Sequence, residues 1–171
     1  LYSGRGSNGF KVKFIGHPLL DAIRPTKSAQ QLLDEFGLRP TGRTIALLPG
    51  SRMKEVTQLL PVMLKSAQII FRKEPRAQFL ICRAPTIPRQ IIKDILDAAN
   101  IDFTYKVMEN ETTNGLAASD FAIVASGTAT LETAILNKPM VIVYKVSFLT
   151  WLLAKLLIKF PYIGLVNVVA G

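Results

Sequence analysis

Short apolar runs rich in Val, Ile and Phe alternate with longer stretches of helical periodicity, and this alternation restricts the chain to few folds. The strand-like runs are Val12–Ile15, Thr44–Leu48, Gln78–Cys82, Phe103–Val107, Phe121–Ala125 and Met140–Tyr144. Between them lie helix-like segments at Ala29–Phe36, Glu55–Lys73, Pro88–Ala99, a short Asn114–Ala118 and Thr128–Leu136. Within Glu55–Lys73, the residues Val56, Leu59, Leu60, Met63, Leu64, Ala67 and Ile70 recur at the spacing of one buried helix face. Strands that are apolar throughout and separated by helices belong in a parallel sheet covered on both faces. The expected fold class is therefore α/β, a Rossmann-like parallel sheet with helices on both faces. Ligands of such sheets bind where strands end and helices begin.

A chain of 171 residues fits one domain. Residues 1–11, rich in Ser and Gly and without apolar periodicity, read as a loose terminus or linker, and residues 12–171 as the domain. No basic segment followed by an apolar core opens the chain, so no signal peptide is expected. A charged fraction of 19% and a positive mean hydropathy rule out a disordered chain. The single cysteine, Cys82, excludes a disulfide framework and a Cys-based zinc site, and fits a reducing compartment.

The net charge of +9 invites nucleic acid, an anionic membrane or phosphorylated small molecules as partners. Its distribution separates them. Residues 1–100 carry 16 basic and 7 acidic side chains, whereas residues 101–171 carry 5 of each. No run of four basic residues occurs, and there is no arginine-glycine repeat, which argues against nucleic acid. After Glu132 no acid follows, and Lys138, Lys145, Lys155 and Lys159 do. The stretch Ser147–Phe160 sets Ser147, Trp151, Lys155 and Lys159 on one helical stripe among Leu and Ile. Its apolar part, Phe148–Phe160, falls short of the ~20 apolar residues that span a bilayer. Two readings stand: a helix packed against another domain or subunit, or a membrane-surface helix with an interfacial Trp and snorkelling lysines.

Two motifs offer chemistry. Leu47-Leu48-Pro49-Gly50-Ser51-Arg52 ends an apolar strand just before the longest helix. Gly50 permits a tight turn, the N–H groups that follow favour an anion, Ser51 is placed to cap the helix, and Arg52 offers two-pronged donors to a phosphate. A plain strand-to-helix turn with a surface arginine has the same sequence. Ala125-Ser126-Gly127-Thr128-Ala129-Thr130-Leu131-Glu132 also follows an apolar strand. Ser126 and Thr128 supply hydroxyls, Gly127 allows close approach, and Glu132 lies one turn beyond Thr128, suited to a ribose diol or simply to the helix N-terminus. His17, in Gly16-His17-Pro18, is either a turn residue or near a ligand. No dinucleotide fingerprint, P-loop, nucleophile elbow or acidic metal cluster is present, so neither a cofactor nor a metal is expected.

Together these segments resemble the C-terminal half of the lipid-A-disaccharide synthases, bacterial glycosyltransferases of the GT-B type. The matching stretches are Phe14-Ile15-Gly16-His17-Pro18-Leu19, Leu47–Arg52 with Glu55-Val56, Ala125–Glu132, Pro139-Met140-Val141, Trp151–Lys155 and Tyr162–Gly171. The resemblance implies transfer of 2,3-diacylglucosamine from UDP-2,3-diacylglucosamine to 2,3-diacylglucosamine 1-phosphate. The products are the lipid A disaccharide of lipopolysaccharide and UDP. It implies one half of a two-domain enzyme, with this half holding UDP through Gly50, Ser51, Arg52, Ser126, Gly127, Thr128 and Glu132. Arg52 and Asn167 match the family's catalytic arginine and asparagine, although Val166 stands where the family has proline. Acceptor site and general base then belong to the other half, a homodimer is implied for the complete enzyme, and this half alone is expected to be inactive. Phe148, Trp151, Leu152, Lys155 and Lys159 would face lipid, placing the enzyme on the cytoplasmic face of the inner membrane. The alternatives are another GT-B or epimerase-like enzyme acting on a soluble UDP-sugar, or a non-catalytic nucleotide-binding module.

Overall fold

The structure, a computed structural model, describes residues 3–5, 11–13 and 19–145, with side chains from Leu19 onward. Its centre is a five-stranded, wholly parallel sheet. β1 (Ser3–Arg5) and β2 (Lys11–Lys13) pair antiparallel, apart from that sheet, where the sequence suggested only one strand from Val12 to Ile15. The chain continues through α1 (Leu19–Ala22), α2 (Ala29–Glu35), β3 (Thr44–Leu48), α3 (Met53–Lys73), β4 (Gln78–Arg83) and α4 (Arg89–Ala99). Then come β5 (Tyr105–Glu109), α5 (Thr112–Ala118), β6 (Phe121–Ala125), α6 (Thr128–Ile135) and β7 (Met140–Val143).

The strand order is β5-β4-β3-β6-β7. Winding runs outward from β3 to β5, then returns to β6 beside β3 and proceeds to β7 on the other side. Side chains along each central strand alternate between two cores, as the pleat requires. Ile45, Leu47, Phe79, Ile81 and Ile123 face the layer of α3 and α4. Ala46, Leu48, Leu80, Ala122 and Val124 face the layer that contains Leu32 of α2 and Leu116 of α5, with Ala129 of α6 packed against it. Helices thus cover both faces, as the uninterrupted apolar strands require.

Two differences from the sequence reading have clear physical causes. The run Phe103–Val107 is displaced, because β5 begins at Tyr105 and extends to Glu109. Phe103 is apolar for another reason: it is buried before the strand, its ring 4.6 Å from that of Phe79 and 6.3 Å from that of Tyr105. Glu109 can end the strand because its register partner is Arg83, whose Nε lies 3.5 Å from the Glu109 carboxylate. Helix α3 starts at Met53, two residues before the expected Glu55, with Arg52 rather than Ser51 at the N-cap.

Polar side chains secure the amino-terminal edge of the sheet. The Gln78 Nε2 donates to Arg39 O (2.8 Å) and Thr44 Oγ1 (3.0 Å), and Gln78 Oε1 accepts from Arg39 N–H (2.9 Å). Asp120 Oδ2 accepts the Thr44 N–H at 2.9 Å. Among the described residues no helix is long and apolar enough to cross a membrane. His17, the segment Phe148–Phe160, Val166 and Asn167 lie outside the described residues.

Leu60 lies on α3 and is fully buried against the sheet. Leu60→Ala should cost about 2–5 kcal/mol, read as a lower urea midpoint at constant slope. A loss under 1 kcal/mol would show that α3 is not packed as described.

Candidate functional site

Strands β3 and β6 lie side by side at the point where the winding reverses. Ile45 pairs with Phe121, Leu47 with Ile123 and Leu48 with Val124. Their carboxyl ends therefore release two turns next to each other, Pro49–Arg52 and Ser126–Gly127, although about 76 residues of chain separate them. In open parallel sheets this reversal point opens the crevice that receives ligands.

The two turns and their helices form a cleft of about 330 Å³. All seven residues expected from sequence line it: Gly50, Ser51, Arg52, Ser126, Gly127, Thr128 and Glu132. The structure adds Glu55, Cys82, Ala84, Pro85 and Thr112, the last three from the turn after β4 and the first residue of α5. Apart from Glu55, which follows Arg52 by three residues, no local motif marks those added positions, because only the strand order brings them here. Arg52 is the only cationic side chain among the described lining residues.

The Gly50 turn is built differently from the sequence reading. Gly50 has φ +109°, a backbone that favours glycine, and an added Cβ would lie 2.5 Å from Glu55 Oε2. Glu55 folds back over this turn. Its Oε2 accepts the N–H of Ser51 (3.2 Å) and of Arg52 (3.3 Å), and its Oε1 accepts Arg52 Nη1 at 2.9 Å. The amides expected to greet an anion are thus held by the protein's own carboxylate, and Ser51 does not cap α3. Sequence did contain a signal, since a glutamate three residues after the N-cap is the usual reciprocal partner of a capping box. Across the cleft edge, the Thr86 hydroxyl donates to Ser51 O at 2.6 Å and straps the β3 turn to the β4 turn.

The opposing turn is more open. Gly127 precedes α6 with no side-chain cap, and nothing lies within 4 Å of where its Cβ would be. Ser126 N–H donates to Val143 O at 2.9 Å, which ties the turn to β7. Thr130 and Thr133 turn their hydroxyls back onto Gly127 O and Ala129 O, each 2.7 Å, and so fix the first turns of α6. Glu132 is half-buried, and its carboxylate has no hydrogen-bond partner among the described residues. Burial raises its pKa above the ordinary carboxyl value. Such a group is a desolvated acceptor suited to hydroxyl donors. Beside it, burial first and the Glu132 charge second push the Cys82 thiol up to about 12, so it stays neutral.

A larger cavity of about 520 Å³ lies at the opposite end of the sheet, near Arg43, Arg76 and Lys138. Its cations are already engaged. Arg43 lies 3.6 Å from Asp120, Arg76 lies 3.5 Å from Glu74, and Lys138 Nζ donates to Ala117 O (2.8 Å) and Ser119 O (2.7 Å). Among the described residues no three His, Cys, Asp or Glu gather where they could hold a metal ion.

A family model described as lipid-A-disaccharide synthetase matches residues 6–171, a span that includes His17, Phe148–Phe160 and Asn167. Similar curated proteins carry the name lipid-A-disaccharide synthase. That of Syntrophus aciditrophicus is 47% identical over 163 residues, covering 95% of this chain, and that of Geobacter sulfurreducens is 42% identical over 163 residues, also 95%. That of Persephonella marina is 37% identical over 174 residues, covering 100% of this chain. The chain spans 42%, 42% and 46% of the length of these three relatives.

Glu132 yields a pH-dependent expectation. A carboxyl whose folded-state pKa is raised binds its proton more readily when folded, so the charge costs stability above the folded pKa and the cost disappears at low pH. Glu132→Gln should therefore raise the melting temperature at pH 7. The gain should shrink as pH falls from the raised folded-state value toward the ordinary carboxyl value, and vanish below it. A lower melting temperature at pH 7 would mean that the carboxylate is held by contacts rather than stranded.

Proposed function

This chain belongs to the lipid-A-disaccharide synthase family, and we propose that it is the donor-binding half of a glycosyltransferase of lipid A biosynthesis. The enzyme moves 2,3-diacylglucosamine from UDP-2,3-diacylglucosamine to 2,3-diacylglucosamine 1-phosphate and releases UDP. The observation that carries this reading is the convergence of two distant motifs on one cleft at the sheet's reversal point.

Cleavage of the bond between the anomeric carbon and the UDP oxygen leaves the electron pair on the β-phosphate. Negative charge therefore grows on the leaving diphosphate, and positive character grows on the sugar. Arg52 supplies the countercharge to the diphosphate, with fork geometry that matches phosphate oxygens. The hydroxyls of Ser126 and Thr128 donate to the same group, and the bare edge at Gly127 admits it. Glu132, a desolvated acceptor, takes the ribose hydroxyls. The small residues Ala84 and Pro85 leave room on the β4 side of the cleft for the remainder of the nucleotide.

The remaining assignments rest on the family resemblance. By that resemblance Asn167 joins Arg52 in catalysis, and His17 is a candidate for contact with the ligand. Phe148, Trp151, Leu152, Lys155 and Lys159 meet the acyl chains and an anionic bilayer surface, with lysines paired to lipid phosphate. On this reading the enzyme is a peripheral protein of the cytoplasmic face of the inner membrane, and the family resemblance adds a homodimer. The acceptor and the general base belong to a second half. Holding donor and acceptor together supplies much of a transferase's rate, so this half alone is inactive.

In the complete enzyme, Arg52→Ala should lower turnover about a hundredfold, the usual cost of losing one preorganised donor to developing charge. An unchanged rate would remove Arg52 from the mechanism. Acylated and non-acylated UDP-glucosamine should differ strongly as donors. Equal turnover would mean that a soluble UDP-sugar is the substrate.

A further inference from the structure

Arg52 is 83% exposed, and a long flexible side chain in that position ordinarily samples many rotamers. Its guanidinium nevertheless has a fixed partner. Glu55 is only 25% exposed and is held from several sides: by the N–H groups of Ser51 and Arg52, and by close packing on Gly50. The backbone beneath it is strapped by Thr86. One guanidinium N–H is spent on Glu55 Oε1 at 2.9 Å, which leaves the other donors of the fork unspent.

We infer that Glu55 is a positioning residue that aims Arg52 at the donor diphosphate, an assignment that rests on the donor-site reading above. An exposed ion pair of two mobile side chains contributes little. Here one partner is immobile, so the pair converts a floppy cation into an oriented one before the nucleotide arrives. The other oxygen of the same carboxylate accepts the amides at the start of α3. The diphosphate therefore meets the side chain of Arg52 rather than the backbone of its turn. Gly50 has its role in this arrangement, since any Cβ there would strike Glu55.

Glu55→Gln separates the two functions of the carboxylate. Glutamine keeps an oxygen for the turn N–H groups, and so keeps the cap, but removes the charge that holds the guanidinium. UDP binding to the chain is measured by calorimetry for wild type, Arg52→Ala, Glu55→Gln and the double variant, with melting temperatures alongside. Relaxation of the Arg52 Nε–Hε NMR signal reports whether the guanidinium is ordered. Each single substitution should weaken UDP about tenfold, and the double variant should bind no more weakly than Arg52→Ala. The Arg52 signal should be ordered in the wild type and mobile in Glu55→Gln. A purely structural Glu55 would instead lower the melting temperature and weaken UDP by the same factor in both backgrounds. That result, unaltered binding by Glu55→Gln, or an Arg52 signal equally ordered without the carboxylate would overturn the role of Glu55 alone. Failure of the wild type to bind millimolar UDP would overturn the donor-site reading, and this inference with it.

Discussion

Everything in the cleft depends on the parallel ladder between β3 and β6. Residues 45–48 pair with 121–124 at the middle of the sheet, every residue of β3 is buried, and both strands are covered on both faces. Such a pair has no freedom to slip, because a shift of one residue would turn each core-facing side chain to the opposite layer. Leu48 and Ala125 consequently end at a fixed relative height, and the turns that follow have to face each other. The cleft is a consequence of packing before it is a feature of chemistry.

That dependence explains what could be read from the chain alone. The five parallel strands and the principal helices were legible because their signals are local: uninterrupted apolar runs in the strands, the 3.6-residue stripe in α3. The seven candidate residues were legible because they follow apolar strands within a few positions. Phe103 misled because an aromatic residue buried beside Phe79 looks like a strand residue when only sequence is considered. Thr86 on Ser51 O, and Thr112, Ala84 and Pro85 in the cleft, left no trace, since their proximity comes from strand order. Glu55 is intermediate. Its position in the first turn was visible, but not that it would occupy the amides assigned to an anion.

The basic balance also acquires a different meaning. Several cations of residues 1–100 are paired within the fold. Arg83 is buried beside Glu109, Arg89 contacts the same carboxylate, Lys27 lies 2.7 Å from Glu35, and Lys93 lies 2.5 Å from Asp97. Among its described lining residues the cleft holds one cation against two carboxylates, Arg52 against Glu55 and Glu132. A site of that kind does not attract anions by bulk charge. In the proposed donor site, selection comes from one oriented guanidinium beside hydroxyl donors, while the half-buried Glu132 carboxylate favours hydroxyl groups over further negative charge.

The central claim is that the turns after β3 and β6 form a single uridine-diphosphate site. Amide chemical-shift mapping of the isotope-labelled chain with UDP tests it most directly. Shifts should concentrate in residues 48–55 and 125–132, with smaller changes at 82–86. Shifts centred on Arg43, Arg76 and Lys138 at the opposite end of the sheet, or no shifts at saturating UDP, would contradict it.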